Sequence, residues 1–203
     1  MTTPVYLEVG SSKVFACSLD WPGWCRAAKD EGAALAALAN YSERYRPVSE
    51  VAGYRFVRSG EDLEVVERVV GNATTNFGAP ATPTAADSTA LTKAHAARLA
   101  ALVDAVWTVL ERTTVATPLQ LRKGPRGGGR DRDKMVAHVA DAEAAYFRKV
   151  GVTDGRAGFL RSLQAARDPQ PDLRTKSWPW RYAARRVAWH ALDHTWEMED
   201  RTE

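Results

Sequence analysis

Residues 179–200 read PWRYAARRVAWHALDHTWEMED, and the spacing along this stretch decides how the C-terminal part of the chain is read. Ala183, Val187, His190, His194 and Glu197 recur at three- and four-residue intervals, which puts them on one stripe of an α-helix. Pro179 suits the first turn of that helix, where its missing N–H costs nothing. His190 and His194 are four apart, so their rings point the same way about one turn from each other. That is the spacing by which one helix offers two imidazoles to one metal ion.

The same periodicity extends upstream. A shorter helix over Gly155–Ala166 uses Phe159, Leu160 and Leu163, and Asp168-Pro169 and Pro171 end it. A helix from about Asp131 to Val150 turns Met135, His138, Val139, Ala142 and Tyr146 inward and closes at Gly151. Earlier still, Leu91, His95, Leu99, Leu102, Val106 and Leu110 share a face between a cap at Asp87 or Ser88 and a stop at Pro118. Four amphipathic helices with connections of this length predict an all-α up-down four-helix bundle over residues 88–203.

His138 falls on the inward stripe near the middle of the second of these helices. Three neutral imidazoles from two facing helices would form a half-closed shell around a divalent ion (Zn, Ni or Fe), leaving a position for water or substrate. The competing reading is that histidines on an apolar stripe are core residues. His95, also on an inward stripe, reads as packing rather than as a further ligand. Asp141 and Asp193 are the carboxylates nearest the histidines in sequence, placed to orient imidazole N–H groups, to move protons, or simply to be solvated. The Arg122–Arg132 loop holds five basic residues among glycines; it suits a clamp on an anion, or a solvated loop, and lacks the Gly-Lys-Ser/Thr of a P-loop. Trp178, Trp180, Trp189 and Trp196 are expected to pack the outside of the bundle and a domain interface.

Residues 1–73 have a different grammar. Val5, Leu7 and Val9 alternate with Tyr6 and Glu8, Gly10-Ser11-Ser12 turns the chain into Val14–Ser18, and Pro22-Gly23 precedes a short strand around Trp24–Ala27. Asp30 caps a helix expected from Glu31 to Arg46, ended by Pro47, and Leu63–Val70 is a β-branched strand with a possible companion at Tyr54–Val57. The order βββαβ describes a small α+β layer. Between them, GNATTNFGAPATPTAADS (71–88) is nearly uncharged and rich in Ala, Thr and Pro. It reads as a linker (74–87) that buries little, separating two small cores.

Composition narrows the function. The chain has 203 residues, 45% hydrophobic and 26% charged, an ordinary globular balance. A formal charge of +3 is too small to indicate nucleic-acid binding. No apolar run is long enough to span a membrane. MTTPVYLEVG lacks the basic and apolar regions of a secretory signal, so the expected location is cytoplasmic. Cys17 and Cys25 are then expected as buried free thiols. A small-molecule substrate and a homodimer both fit.

Two resemblances sharpen these expectations. KMVAHVADAEAAYF (134–147) and RRVAWHALDHTWEMEDR (185–201) resemble the DinB-like/YfiT-like superfamily of metal-binding four-helix bundles. That resemblance implies one ligand from the second helix, here His138, and an HxxxH pair from the last, here His190 and His194. It also implies a metal-dependent transferase, of the thiol-dependent kind, or a hydrolase. VYLEVGSSKVFACSLDWPGWCRAAKDEGAALAALANYSERY (5–45) resembles the HicB-type antitoxin fold through its hairpin, its Asp20-Trp21-Pro22-Gly23-Trp24-Cys25 turn and the Ala/Leu-rich helix after it. The appended DNA-binding helices of that family are missing. The alternative function is therefore a two-module interaction protein whose HicB-like part binds a partner.

Overall fold

The alternation from Pro4 onward makes a hairpin. β1 (Thr3–Val9) pairs antiparallel with β2 (Val14–Ser18), and Gly10 N–H donates to the Lys13 carbonyl at 2.9 Å to close the turn. β3 (Cys25–Ala28) adds antiparallel to β2. β4 (Leu63–Val70) adds parallel to β1, giving the order β3-β2-β1-β4. A parallel neighbour needs a crossover, and helices supply it. The computed structural model describes residues 2–56, 62–124, 128–166 and 177–202.

The crossover departs from expectation. α1 (Glu31–Asn40) begins as expected at Asp30, whose carboxylate accepts from Ala33 N–H at 2.8 Å, but it ends before Tyr41. α2 (Ser42–Val51) then runs through Pro47 instead of stopping there. A proline inside a helix costs about 3 kcal/mol. Tyr45 and Val48, both fully buried, offset it at about 1.5–3 kcal/mol per large apolar side chain. The Tyr45 hydroxyl also donates to the Pro22 carbonyl at 2.9 Å, fixing α2 against the Pro-Gly turn. Of the companion strand, Tyr54–Phe56 is irregular and Val57 lies outside the described residues.

The hairpin is buried on both faces. Val5, Leu7, Val14 and Ala16 enter the main core, while Tyr6, Phe15, Cys17 and Cys25 face Trp189 of the last helix. Apolar side chains of residues 1–73 and 88–203 share that main core: Val5, Leu7, Trp24 and Tyr45 cluster with Leu102, Val106, Leu192 and Trp196.

The stretch between them also buries more than its composition suggested. α3 (Ala73–Phe77) and a 3-10 turn (Ala85–Ser88) bring Thr75, Thr84 and Asp87 inside. Glu8, fully buried in β1, requires partners. It accepts from the Thr75 hydroxyl and from Ala81 N–H (2.8 Å) and Thr82 N–H (3.0 Å). A segment poor in charged side chains is thus held by its own backbone donors.

Four longer helices follow: α4 (Lys93–Ala116), α5 (Arg132–Arg148), α6 (Gly155–Ala165) and α7 (Trp180–Thr202). Thr92, rather than Asp87 or Ser88, caps α4, accepting from His95 N–H at 3.1 Å. α4 packs on α7 and α6, α5 packs on α7, and α2 lies against α4. The fold is mixed α+β, a four-stranded sheet followed by helices that share its core. No helix among the described residues is long and apolar enough to cross a membrane.

Candidate metal centre

α7 is almost wholly buried, because two surfaces press on it. One side carries Trp189, which meets Phe15 of the sheet edge-on at 6.2 Å, and Ala188 and Leu192, which take the Gly23 turn. At φ +90°, with an added Cβ only 3.0 Å from the Ala188 backbone, position 23 accepts only glycine. The Pro-Gly turn therefore braces α7 from behind. The other side, toward α5, carries His190 and His194.

The three histidines come together. Ring centroids of His138 lie 5.1 Å from those of His190 and His194, and the latter two are 4.7 Å apart. One nitrogen from each lies within 4.8 Å of the others. Donors held tetrahedrally at zinc–nitrogen distances of about 2.0–2.1 Å are about 3.3 Å apart, so an ion would draw the rings inward by roughly an ångström or less. His138 and His194 are only partly buried, which leaves them room to turn.

Electrostatics favour the neutral, ligating form. Burial pushes the His190 pKa down to about 3, with His194, His138, Arg186 and Arg130 adding to the effect. Burial, then Arg130 and His194, lowers His138 as well. His190 Nδ1 is buried with no hydrogen-bond partner among the described residues, a polar atom that a cation would satisfy.

Glu197, one turn beyond His194, orients it. Its Oε2 lies 2.9 Å from His194 Nδ1, and its Oε1 accepts from Arg201 at 2.8 Å. Since a carboxylate only accepts, Nδ1 carries the proton and Nε2 is left as the donor to a metal. The hydrogen bond from His194 holds the Glu197 carboxyl below its usual range, followed by Arg201.

The sequence-based candidates for that orienting role sit elsewhere. Asp193 pairs with Arg26 of β3 at 3.0 Å, and Asp141 is exposed on α5. Glu197 belongs to the histidine stripe that the spacing along α7 defines, one turn beyond His194. His95 is exposed on α4 and contributes neither a ligand nor packing, since Leu91, Ala96 and Leu99 take the inward positions.

In the basic loop, most cations bind their own chain. Arg122 donates to the Asp200 carbonyl at 2.7 Å, Lys123 pairs with Asp131, and Arg132 donates to the Thr117 carbonyl at 3.0 Å. Arg126 lies outside the described residues, and Arg130 acts on the triad through its charge. Trp189 and Trp196 do pack the sheet side of α7, Trp196 against Tyr41 at 5.0 Å, while Trp178 lies tilted against Tyr146 at 5.4 Å on the triad side. Cys17 and Cys25 are buried free thiols as expected.

Compared with known proteins, the chain matches no family model, no curated protein and no solved structure.

Proposed function

We propose that α4–α7 constitute a DinB-like up-down four-helix bundle and that the chain is a divalent-metal protein, a transferase or hydrolase acting on a small molecule. The observation that carries the reading is the His138–His190–His194 group, whose donor atoms converge to within 4.8 Å from two helices. Three imidazoles suit zinc, nickel or iron better than magnesium or calcium, which prefer oxygen. A divalent ion held by the three imidazoles would supply acidity, lowering the pKa of a water or thiol brought to it. The chain's own contribution is to keep the imidazoles neutral by burial, to fix the His194 tautomer through Glu197, and to hold α7 rigid between sheet and bundle.

An interaction protein would be favoured by an exposed apolar sheet edge together with a triad too spread for one ion; edge strand β4 does expose Val66 and Val70, but the triad is compact, which favours the metal reading. The test is metal analysis of the purified chain beside His138→Ala and His194→Ala. We expect stoichiometric divalent metal in the wild type and a loss in both variants; equal content in all three overturns the site.

A further inference from the structure

Arg186 lies one helical turn before His190 on α7, and the two continue the stripe that ends in His194 and Glu197. Its guanidinium carbon sits 4.7 Å from the ring centroid of Trp189 and 5.1 Å from that of Tyr146, whose ring in turn is 5.7 Å from His190. The residue is only 9% exposed. Arg185 beside it is equally buried but pairs with Asp87 at 2.6 Å. Arg186 has no such carboxylate: among the described residues it makes no ion pair, and its terminal Nη1 is buried without a hydrogen-bond partner.

A buried guanidinium with an unused donor is costly, and proteins rarely keep one without a partner. Aromatic faces stabilise the charge in part but leave the in-plane N–H groups unanswered. Two orphaned polar atoms, Arg186 Nη1 and His190 Nδ1, therefore belong to residues one turn apart on one face of α7.

We propose that Arg186 receives the carboxylate of the substrate, so that this site takes small carboxylic acids whose reacting group lies a few bonds from the carboxylate. Residues one turn apart on a helix have Cβ atoms about 5–6 Å apart, so both groups are within reach of one small molecule. A planar guanidinium fork matches a carboxylate in a way no other side chain does. The assignment rests on the metal reading above for the position of the reacting group, but not for the anion contact itself.

The experiment titrates acetate and its neutral isostere acetamide into the full chain, zinc-free and zinc-loaded, and follows binding by NMR of the ligand. Wild type, Arg186→Gln and Arg186→Lys are compared, with zinc content measured for each. A hydrogen-bonded charge pair predicts at least about a tenfold preference for acetate over acetamide and a similar loss in Arg186→Gln. Arg186→Lys should fall between, and zinc content should be unchanged in both variants. Acetate affinity unaltered by Arg186→Gln would mean that acetate binds zinc or the surface, and it overturns the assignment. Equal binding of acetamide by the wild type does the same and needs no variant to fold. Failure to bind zinc alongside an intact, Arg186-dependent acetate response would remove the metal reading and leave this one standing.

Discussion

The Glu197 carboxylate bridges His194 and Arg201, with Oε2 2.9 Å from His194 Nδ1 and Oε1 2.8 Å from the arginine. This arrangement fixes which imidazole nitrogen faces the triad. Glu197→Gln keeps the size but permits the amide to donate, so the tautomer is no longer enforced. Metal affinity should fall by about 10–100-fold, the usual consequence of losing such a partner. A chelator competition titration measures it, and an affinity within twofold of wild type would show that the bridge does not tune the site.

Gly23 against Ala188 tests the brace behind α7. An added Cβ would lie 2.6 Å from Leu192 Cδ1 and 3.0 Å from the Ala188 carbonyl, at a φ of +90°. Gly23→Ala combines backbone strain with overpacking and should cost at least about 2 kcal/mol. A urea midpoint unchanged from wild type would mean that the turn yields freely and braces nothing.

The buried pair of Arg185 and Asp87 ties the 71–88 segment to α7. Asp87 Oδ2 also accepts from Thr84 N–H at 2.7 Å. Asp87→Ala leaves a guanidinium buried and unpaired and should destabilise the fold by about 3–5 kcal/mol. Replacing both partners, as in Asp87→Leu with Arg185→Met, should recover part of that loss. A double variant no more stable than Asp87→Ala would refute the pairing as the cause.

Tyr182 predicts the alkaline limit of stability. Burial pushes its pKa up to about 12, with Arg186 and Arg185 pulling the other way. An unfolded tyrosine ionises near 10 while the folded one keeps its proton, so unfolding is favoured as pH climbs through that interval. Its contribution is complete below about pH 10 and lost by about pH 12. Tyr182→Phe should flatten this part of the stability profile; an unchanged slope between those values would assign the alkaline loss to other groups, such as the buried Tyr6 and Tyr45.

Local periodicity made much of this chain legible. The strands at Val14–Ser18 and Leu63–Val70 coincide with their alternating runs, and the α5–α7 stretches follow their apolar stripes. Histidine spacing gave the His190/His194 pair on one face, because side-chain direction along a helix is fixed by its 3.6-residue turn. The meeting of His138 with that pair could only be expected, since it requires α5 to pack on α7 at the right height.

Tertiary packing decided the rest. Pro47 sits inside α2 because the burial of Tyr45 and Val48 outweighs one missing helical hydrogen bond. The nearly uncharged 71–88 stretch is anchored because Glu8, distant in sequence, needs its backbone donors. Asp193 turned to Arg26 and left His194 to Glu197, a choice made by which face of α7 meets the sheet. The sequence by itself determined the four main strands, the approximate stretches of the longer helices and the shared face of His190 and His194, since these depend on neighbours two to four residues away. Which carboxylate supports the triad, which arginine lacks a partner, and that the sheet and helices share one core were decided only in three dimensions. Those outcomes depend on contacts between residues as far apart as Arg26 and Asp193, and no local pattern encodes which of several equivalent charges will be brought within hydrogen-bonding reach.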